Sequence, residues 1–436
     1  TRVRSSAASD VYKRQILKQT EAENRAATPE EQGQLFLYSG WGGLANAFES
    51  DNDKWKNEYS ELKGLLTDEE YTAARSTVLD SFYTDTAIVD SIYEVIRNAG
   101  FEDGNILEPA MGVGNFFGRL PEELRDKVNL YGVEKDSLSG RIAQKLYPQA
   151  DITIDGFENT RFNDNSFDVA IGNIPFGDFS VNDSKYNSKH LKIHDYFFLK
   201  SLDKGRDGGI VAFITSQSVL NTEGNGGTRY LMMKQADLLS AIRLPNNLFT
   251  ENANTEVGCD LIILQKNINK TDLSEEEMRF TRTVRSNHTG VVTNEYFLDH
   301  PERIIQTEAK RDTDPYGKPA MVYTHTGGVE GISMDLYKML PEDLSVRLDL
   351  ERYNGMGHEK PETRQNIAVQ SSGIEVKMGN SLSGTDEQTD VKREENRVQP
   401  QAHTAETRQP ETPVMDLYDL FGYTQEERRL AERGLK

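Results

Sequence analysis

Asn105-Ile106-Leu107-Glu108-Pro109-Ala110-Met111-Gly112-Val113-Gly114-Asn115-Phe116-Phe117 is the stretch that decides the fold of this chain. An apolar run stops at a glycine-containing turn and an apolar run resumes after it. That order reads as strand, turn and helix at the ligand edge of a doubly wound α/β sheet. Gly112 and Gly114 let the backbone approach a ligand closely. Many strand-to-helix turns contain two glycines, so the weight comes from the neighbouring strands. Val128 to Val133 forms a second strand ending in Glu134-Lys135, where, about 20 residues on, an acidic side chain accepts from both hydroxyls of a ribose. The spacing suits a cofactor that contains a nucleoside.

A nicotinamide site would open with Gly-x-Gly-x-x-Gly and cradle a pyrophosphate at the helix N-terminus. Here the strand ends in Glu108-Pro109. A carboxylate at that edge repels phosphate but accepts from an ammonium, which favours S-adenosylmethionine. A third strand, Asp151 to Ile154, ends in Asp155-Gly156-Phe157, an acceptor for an adenine amine and a ring to lie against it; Asp155-Gly156 reads equally as an ordinary turn. A fourth strand, Phe167 to Gly172, delivers Asn173-Ile174-Pro175-Phe176 to the same edge, 65 positions after Glu108. By itself Asn-x-Pro is also a strand-ending turn. Together the two motifs describe a cofactor pocket facing a planar amine.

The ordered set resembles the amino-group methyltransferases of the adenine-N6 DNA type, in which an Asn/Asp-Pro-Pro-aromatic motif binds the amine to be methylated. The resemblance implies the class I S-adenosylmethionine-dependent methyltransferase fold, α/β with a doubly wound seven-stranded mixed sheet. It implies that the Asn173 side chain and the Ile174 carbonyl accept from the exocyclic amine, that Phe176 stacks on the base, and that catalysis is mainly positioning and charge stabilisation. Ile174 stands where proline is usual; its role runs through a carbonyl that any residue has, although proline also stiffens the loop. By the same resemblance Glu108, with Pro109 and Ala110, faces the amino-acid part of the cofactor, and Tyr83-Thr84 close over its methionine part. Gly208 to Thr215 reads as a fifth strand and Thr255 to Gln265 as a closing one. The order is the gamma arrangement, shared with modification subunits of type I restriction systems, over roughly residues 80 to 268.

A closer likeness extends upstream. Tyr38-Ser39-Gly40-Trp41-Gly42-Gly43-Leu44, Trp55, Tyr59, the helix from Thr67 and Tyr83-Thr84 resemble the methylase region of very large methyltransferase-helicase proteins of conjugative elements and phages. Members often carry the Asn-x-Pro-Phe-Gly form found at Asn173 to Gly177, and some are discussed as antirestriction factors. That likeness implies DNA as partner and a fused helicase or other downstream domains. The residues alone say only that Gly40 to Gly43 is a tight turn with a large ring to bury, either a packing clasp or a lid.

The chain has 436 residues, a single cysteine and a net charge of −21. One cysteine, Cys259 in an expected core strand, excludes a disulfide framework and argues for a reducing cytoplasm. The seven histidines form no metal-ligand spacing, no apolar run approaches the roughly 20 residues of a membrane span, and no secretory signal is present. The acidic balance argues against phosphate binding by the whole surface. Locally, Lys185, Lys189, His190, Lys192 and His194 cluster with Tyr186 just beyond Asn173 to Phe176, as a strand-gripping loop requires, though a solvated loop has the same composition. Asn221 to Arg229, with its glycines, is a second candidate flank, Arg229 being its cation. An adenine inside a duplex is out of reach, so it must be flipped or presented on a single strand.

Six regions are expected. Residues 1–15 contain Asp10-Val11-Tyr12-Lys13-Arg14-Gln15, which reads like a translated transposon-end adapter, with a natural basic arm as the alternative. Residues 16–80 form a helical extension, with capped starts at Thr28-Pro29-Glu30-Glu31 and Thr67-Asp68-Glu69-Glu70. Residues 81–268 are the catalytic domain. Residues 269–352 form a small extension, packed on the sheet in preference to facing substrate. Residues 353–414 lack aromatics beyond Tyr353 and form a disordered linker, and 415–436 begin a further, truncated region. The functional expectation is an S-adenosylmethionine-dependent adenine-N6 DNA methyltransferase in modification or antirestriction for a mobile element. The alternatives are a methyltransferase acting on RNA or protein glutamine, and a non-catalytic DNA-binding or assembly module keeping the fold.

Overall fold

A computed structural model describes residues 2–38, 40–41, 46–77, 84–98, 100–250, 256–314 and 317–355. The chain divides into two units, Thr1–Val369 and Gln370–Lys436. The second, like the expected linker beyond residue 355, lies outside the described residues.

Seven strands form the central sheet: β1 (Gly104–Glu108), β2 (Val128–Glu134), β3 (Asp151–Ile154), β4 (Phe167–Asn173), β5 (Gly205–Ser216), β6 (Ala236–Leu244) and β7 (Cys259–Lys266). Their spatial order is β3-β2-β1-β4-β5-β7-β6. The pairings from β3 across to β5 are parallel, and β7 runs antiparallel to both β5 and β6. The order reverses between β1 and β4, so a crevice opens above their carboxyl ends, where Glu108 and Asn173 are the last residues of their strands. Strand alternation splits the core in two. Ile106, Ile210, Ala212 and Ile214 face one layer, while Leu107, Val211 and Phe213 face the other.

Helix α1 spans Arg2–Ala22, α2 Pro29–Phe36, α3 Lys56–Leu65 and α4 Asp68–Thr77. The two expected capped starts form as reciprocal boxes. Thr28 accepts from the Glu31 amide and Glu31 reaches back, and Thr67 and Glu70 exchange bonds of 3.1 and 3.2 Å. α1 runs without interruption through position 15, and Arg14 makes a buried ion pair with Glu70 at 2.5 Å. Trp41 is buried edge-on to Tyr38 and Phe48, in a cluster that includes Val113 of the glycine turn and Leu138 and Ile142 of α7 (Ser137–Leu146). The ring is thus a clasp on the back of the cofactor turn.

α5 (Thr86–Asn98) lies on the first sheet face through Ile88, Ile92, Val95 and Ile96. α6 is the short turn Asn115–Gly118; α8 (Ile193–Lys204) and α10 (Gly226–Met233) cover the other face, with α9 (Ser218–Asn221) leading into α10. Within 269–352 a capped helix (Glu275–Thr281) and a small hairpin (Thr283–Arg285 with Val292–Asn294) precede a second hairpin, Glu308–Thr313 with Pro319–Thr324. The helix Gly328–Arg347 then packs beside α5, where Ser333 and Ser91 hydroxyls meet at 3.1 Å. Tyr353, where the linker was expected to begin, is instead buried in the core of the sheet.

Candidate active site

The turn after β1 is built by backbone geometry that only glycine adopts freely. Gly112 and Gly114 have φ of 56° and 87°. The Met111 amide donates to the Val133 carbonyl at 3.0 Å, tying the turn to β2. A Cβ on Gly114 would lie 2.5 Å from the Tyr147 ring, and the Gly114 carbonyl accepts from the Tyr147 hydroxyl at 2.7 Å. Gly114 therefore shapes the turn from behind, whereas Pro109, Ala110 and Gly112 line the pocket itself.

Two carboxylates face that pocket from neighbouring strand ends. Glu134 accepts from the Gly112 amide with one oxygen and from the Asp136 amide with the other, each at 2.7 Å. Burial, reinforced by the charge of Asp136, pushes its pKa up to about 7. Glu108 is 2% exposed, and burial, then the charge of Glu134, raises it well above the usual carboxylate range, against backbone bonds from Phe117 and Phe116. Its Oε2 has no hydrogen-bond partner, and neither has the buried hydroxyl of Thr84, which lines the same pocket. A buried acceptor without a donor costs free energy until a donor arrives. This pair fits the ammonium of an amino-acid cofactor. Tyr83, expected beside Thr84, lies outside the described residues.

Lys135, Asp155, Gly156 and Phe157 line the pocket as well. Asp155 accepts from the Gly156 amide and the Asn159 side chain, both at 2.7 Å, so it sets the turn that presents Phe157. Phe157 packs on Phe197 with ring centres 5.1 Å apart. Phe197 and Ile193, one helical turn apart on α8, together with Phe179, Val181, Asn115 and Ser139, also line the pocket, as do Met111, Phe116 and Glu158, and none was singled out as a site residue in the sequence. The four-residue spacing of Ile193 and Phe197 was the available signal; Phe179 offered none.

From Asn173 to Phe176 the structure divides the motif. Asn173 and Pro175 line the pocket. The Ile174 amide donates to the Ile214 carbonyl at 3.0 Å and its side chain is buried in the α8-side core. Phe176, expected to stack on a base, is 8% exposed and packs edge-on to Phe249 at 6.2 Å.

The expected nucleic-acid loop is largely neutralised. Lys185 pairs with Asp164 and Asp203 at 3.0 Å each, and Lys192 with Asp178 at 2.8 Å. Tyr186 is buried with its hydroxyl on Asp203, and Lys189 lies 5.1 Å over its ring. His190 turns the chain with φ of 51°. His194 is buried, which lowers its pKa to about 4. Arg229 requires correction. It is 1% exposed and donates to the carbonyls of Val219, Thr222 and Thr281 at 2.9 to 3.1 Å, bracing α10 from inside with no face toward solvent. Among the described residues no cluster of His, Cys, Asp and Glu could hold a metal ion, and no helix is long and apolar enough to cross a membrane.

Curated relatives are similar over parts of their length. The phage P1 "Defense against restriction protein B" is 31% identical over 192 residues, 43% of this chain and 8% of that protein. The methylase subunit of the MjaIX type I restriction enzyme of Methanocaldococcus jannaschii is 27% identical over 29% of this chain and 23% of that subunit. The type II methyltransferase M.CvrRI of a Paramecium bursaria Chlorella virus is 27% identical over 42% of this chain and 48% of that protein. The chain thus spans less than half the length of each. Among solved structures, the EcoKI type I restriction enzyme M protein aligns with a TM-score of 0.37 at 13% identity, over 84% of this chain and 95% of that one. A Streptococcus thermophilus type I methyltransferase subunit aligns with 0.39 at 14% identity, over 67% and 79%. Residues 67–321, more than half of the sequence, match the family model described as N-6 DNA Methylase, and the chain belongs to that family.

Proposed function

We propose that this domain transfers the methyl group of S-adenosylmethionine to the N6 amine of adenine in DNA. The observation that supports it most is that Asn173 and Pro175 line the same pocket as Glu108, Thr84 and Glu134, so the residues that would meet the amine share a cavity with those that fit the cofactor. Glu108 and Thr84 would hold the ammonium, Glu134 the ribose hydroxyls, and Phe157 the adenine ring. Bound S-adenosylmethionine supplies an electrophilic methyl group on a sulfonium. The Asn173 side-chain oxygen and the Ile174 carbonyl accept from the target amine, fix its lone pair in direction, and stabilise the positive charge that grows on nitrogen. The buried walls from Phe157, Phe197 and Ile193 exclude water.

The biological setting belongs to the same proposal: cytoplasmic modification or antirestriction for a mobile element, with a fused helicase or other downstream region. Likeness to the phage P1 protein supports it. The test incubates the chain with tritiated S-adenosylmethionine and mixed-sequence DNA and identifies the labelled nucleoside. Label in N6-methyladenine, reduced about 100-fold or more by Asn173→Ala at unchanged cofactor affinity, is the expected result. Label in cytosine, RNA or protein refutes it.

A further inference from the structure

Among the described residues four phenylalanine rings line the pocket. Phe116, Phe157 and Phe197 are 2 to 4% exposed and belong to the core, whereas Phe179 is 42% exposed. No aromatic ring among the described residues pairs with it, although Phe157 has Phe197 and Phe176 has Phe249. We propose that Phe179 is the ring on which the target base stacks, the part first expected of Phe176; the assignment rests on the function proposed above.

The main chain beneath this ring is held in place. The Phe179 carbonyl accepts from the amide of Ile193, the first residue of α8, at 2.8 Å, and Asp178 pairs with Lys192 at 2.8 Å. At the other end of the segment the Ile174 amide is tied to β5. A Cβ on Gly177 would crowd two carbons of the Phe179 ring, which therefore lies against the bare backbone of that glycine. Gly177 is not in the left-handed region, so its lack of a side chain serves the approach of the ring and not a turn. Phe179 is thus an anchored residue with a largely unpacked ring, six positions after Asn173 in the same pocket.

Two planar groups have to be received by such a pocket, the adenine of the cofactor and the base to be methylated. Phe157, Phe197 and Ile193 are buried apolar walls, as an enclosed adenine requires. The ring that stays accessible from solvent, on the loop that carries Asn173 and Pro175, suits the group that arrives from solvent. Phenyl rings stack on any base through its π face and have no hydrogen-bonding group with which to read its edge. Holding the base is then the work of Phe179, and orienting its amine that of Asn173 and the Ile174 carbonyl. A stack of this kind offsets part of the cost of taking the base out of a duplex. Phe176 cannot supply it while its ring fills the core against Phe249.

The test compares the full chain with Phe179→Leu, Phe179→Tyr, Gly177→Ala and Phe176→Leu in methylation of mixed-sequence DNA, with S-adenosylmethionine binding followed by calorimetry and stability by thermal unfolding. A stack made alike in ground and transition states acts on KM and not on kcat. Phe179→Leu should therefore raise the KM for DNA about 5- to 150-fold, the span of one lost base–ring stack, with kcat, cofactor affinity and unfolding midpoint retained. Phe179→Tyr, which keeps the ring, should keep the KM, and Gly177→Ala, which displaces the ring, should raise it. Phe176→Leu should lower the unfolding midpoint and leave the KM in place. A KM within about twofold of wild type in Phe179→Leu, with a wild type that methylates DNA, overturns the assignment and leaves the methyltransferase reading standing. Weakened cofactor binding in Phe179→Leu overturns it by making the ring a cover for the cofactor. A wild type that methylates no DNA overturns both.

Discussion

Replacing Glu108 with glutamine separates two effects that a damaged fold would merge. The variant keeps the size of the side chain and one acceptor, and loses the charge at Oε2, the atom without a partner in the pocket wall. A hydrogen bond to a charged group contributes about 1.5–3 kcal/mol, so the dissociation constant for S-adenosylmethionine should rise about 10- to 150-fold. Stability should move the other way. Burial raises the carboxyl of Glu108 above its ordinary 4.5, and an acid raised in the folded state contributes stability below its unfolded pKa and loses it as pH climbs toward the folded one. Glutamine has no such slope. From about pH 5 to about pH 8 the cofactor-free variant should therefore gain on the wild type in unfolding free energy. Calorimetric titration gives the first quantity and denaturant unfolding at the two pH values gives the second. Cofactor binding within threefold of wild type would refute the ammonium assignment, and a variant that loses stability faster with pH would refute the account of the buried charge.

Two further outcomes rest on the same electrostatics. Glu134, pushed to about 7 mainly by burial, should cost the cofactor-free protein up to about 3 kcal/mol as pH rises from about 4.5 to about 7. The difference between wild type and Glu134→Gln in stepped-pH unfolding should show that slope, and parallel profiles would count against it. Arg243 and Asp260, 2% and 0% exposed, form a buried pair across β6 and β7. Arg243→Leu should cost about 3–5 kcal/mol, and adding Asp260→Leu should restore most of it in a double-mutant cycle.

How far the sequence could be read depended on whether local chemistry or distant packing placed each residue. Gly112, Glu134 and Asn173 reach one pocket as the sequence implies, because a turn that needs a positive φ and the polar ends of adjacent strands each leave a mark within a few residues. Six of the seven strands were legible as apolar runs, whereas β6 (Ala236–Leu244) carries polar residues that hid it. Ser240 is buried and bonded to Asp343, more than a hundred positions away. The partners of the cations were hidden for the same reason. Lys185 and Arg229 look free in a loop of lysines and glycines, and only folding brings Asp203 to one and the carbonyls of Val219 and Thr281 to the other. Phe176 was read by motif, but its burial against Phe249 depends on a turn more than seventy residues downstream.

The pairing of α5 with the helix Gly328–Arg347 joins serines 242 positions apart. At translation speeds of 5–20 residues per second, about 10–50 s separate the emergence of the two. During that interval the strands that build the cofactor end can pair and α5 can cover them through Ile88, Ile92 and Ile96, but the side of α5 that carries Ser91 has no cover from the later helix. The nascent chain thus exposes that side of α5 next to its own half-formed pocket. Ribosome pausing, chaperone capture or early arrival of S-adenosylmethionine would act on that interval, and the order of synthesis becomes a determinant of yield that the finished fold conceals.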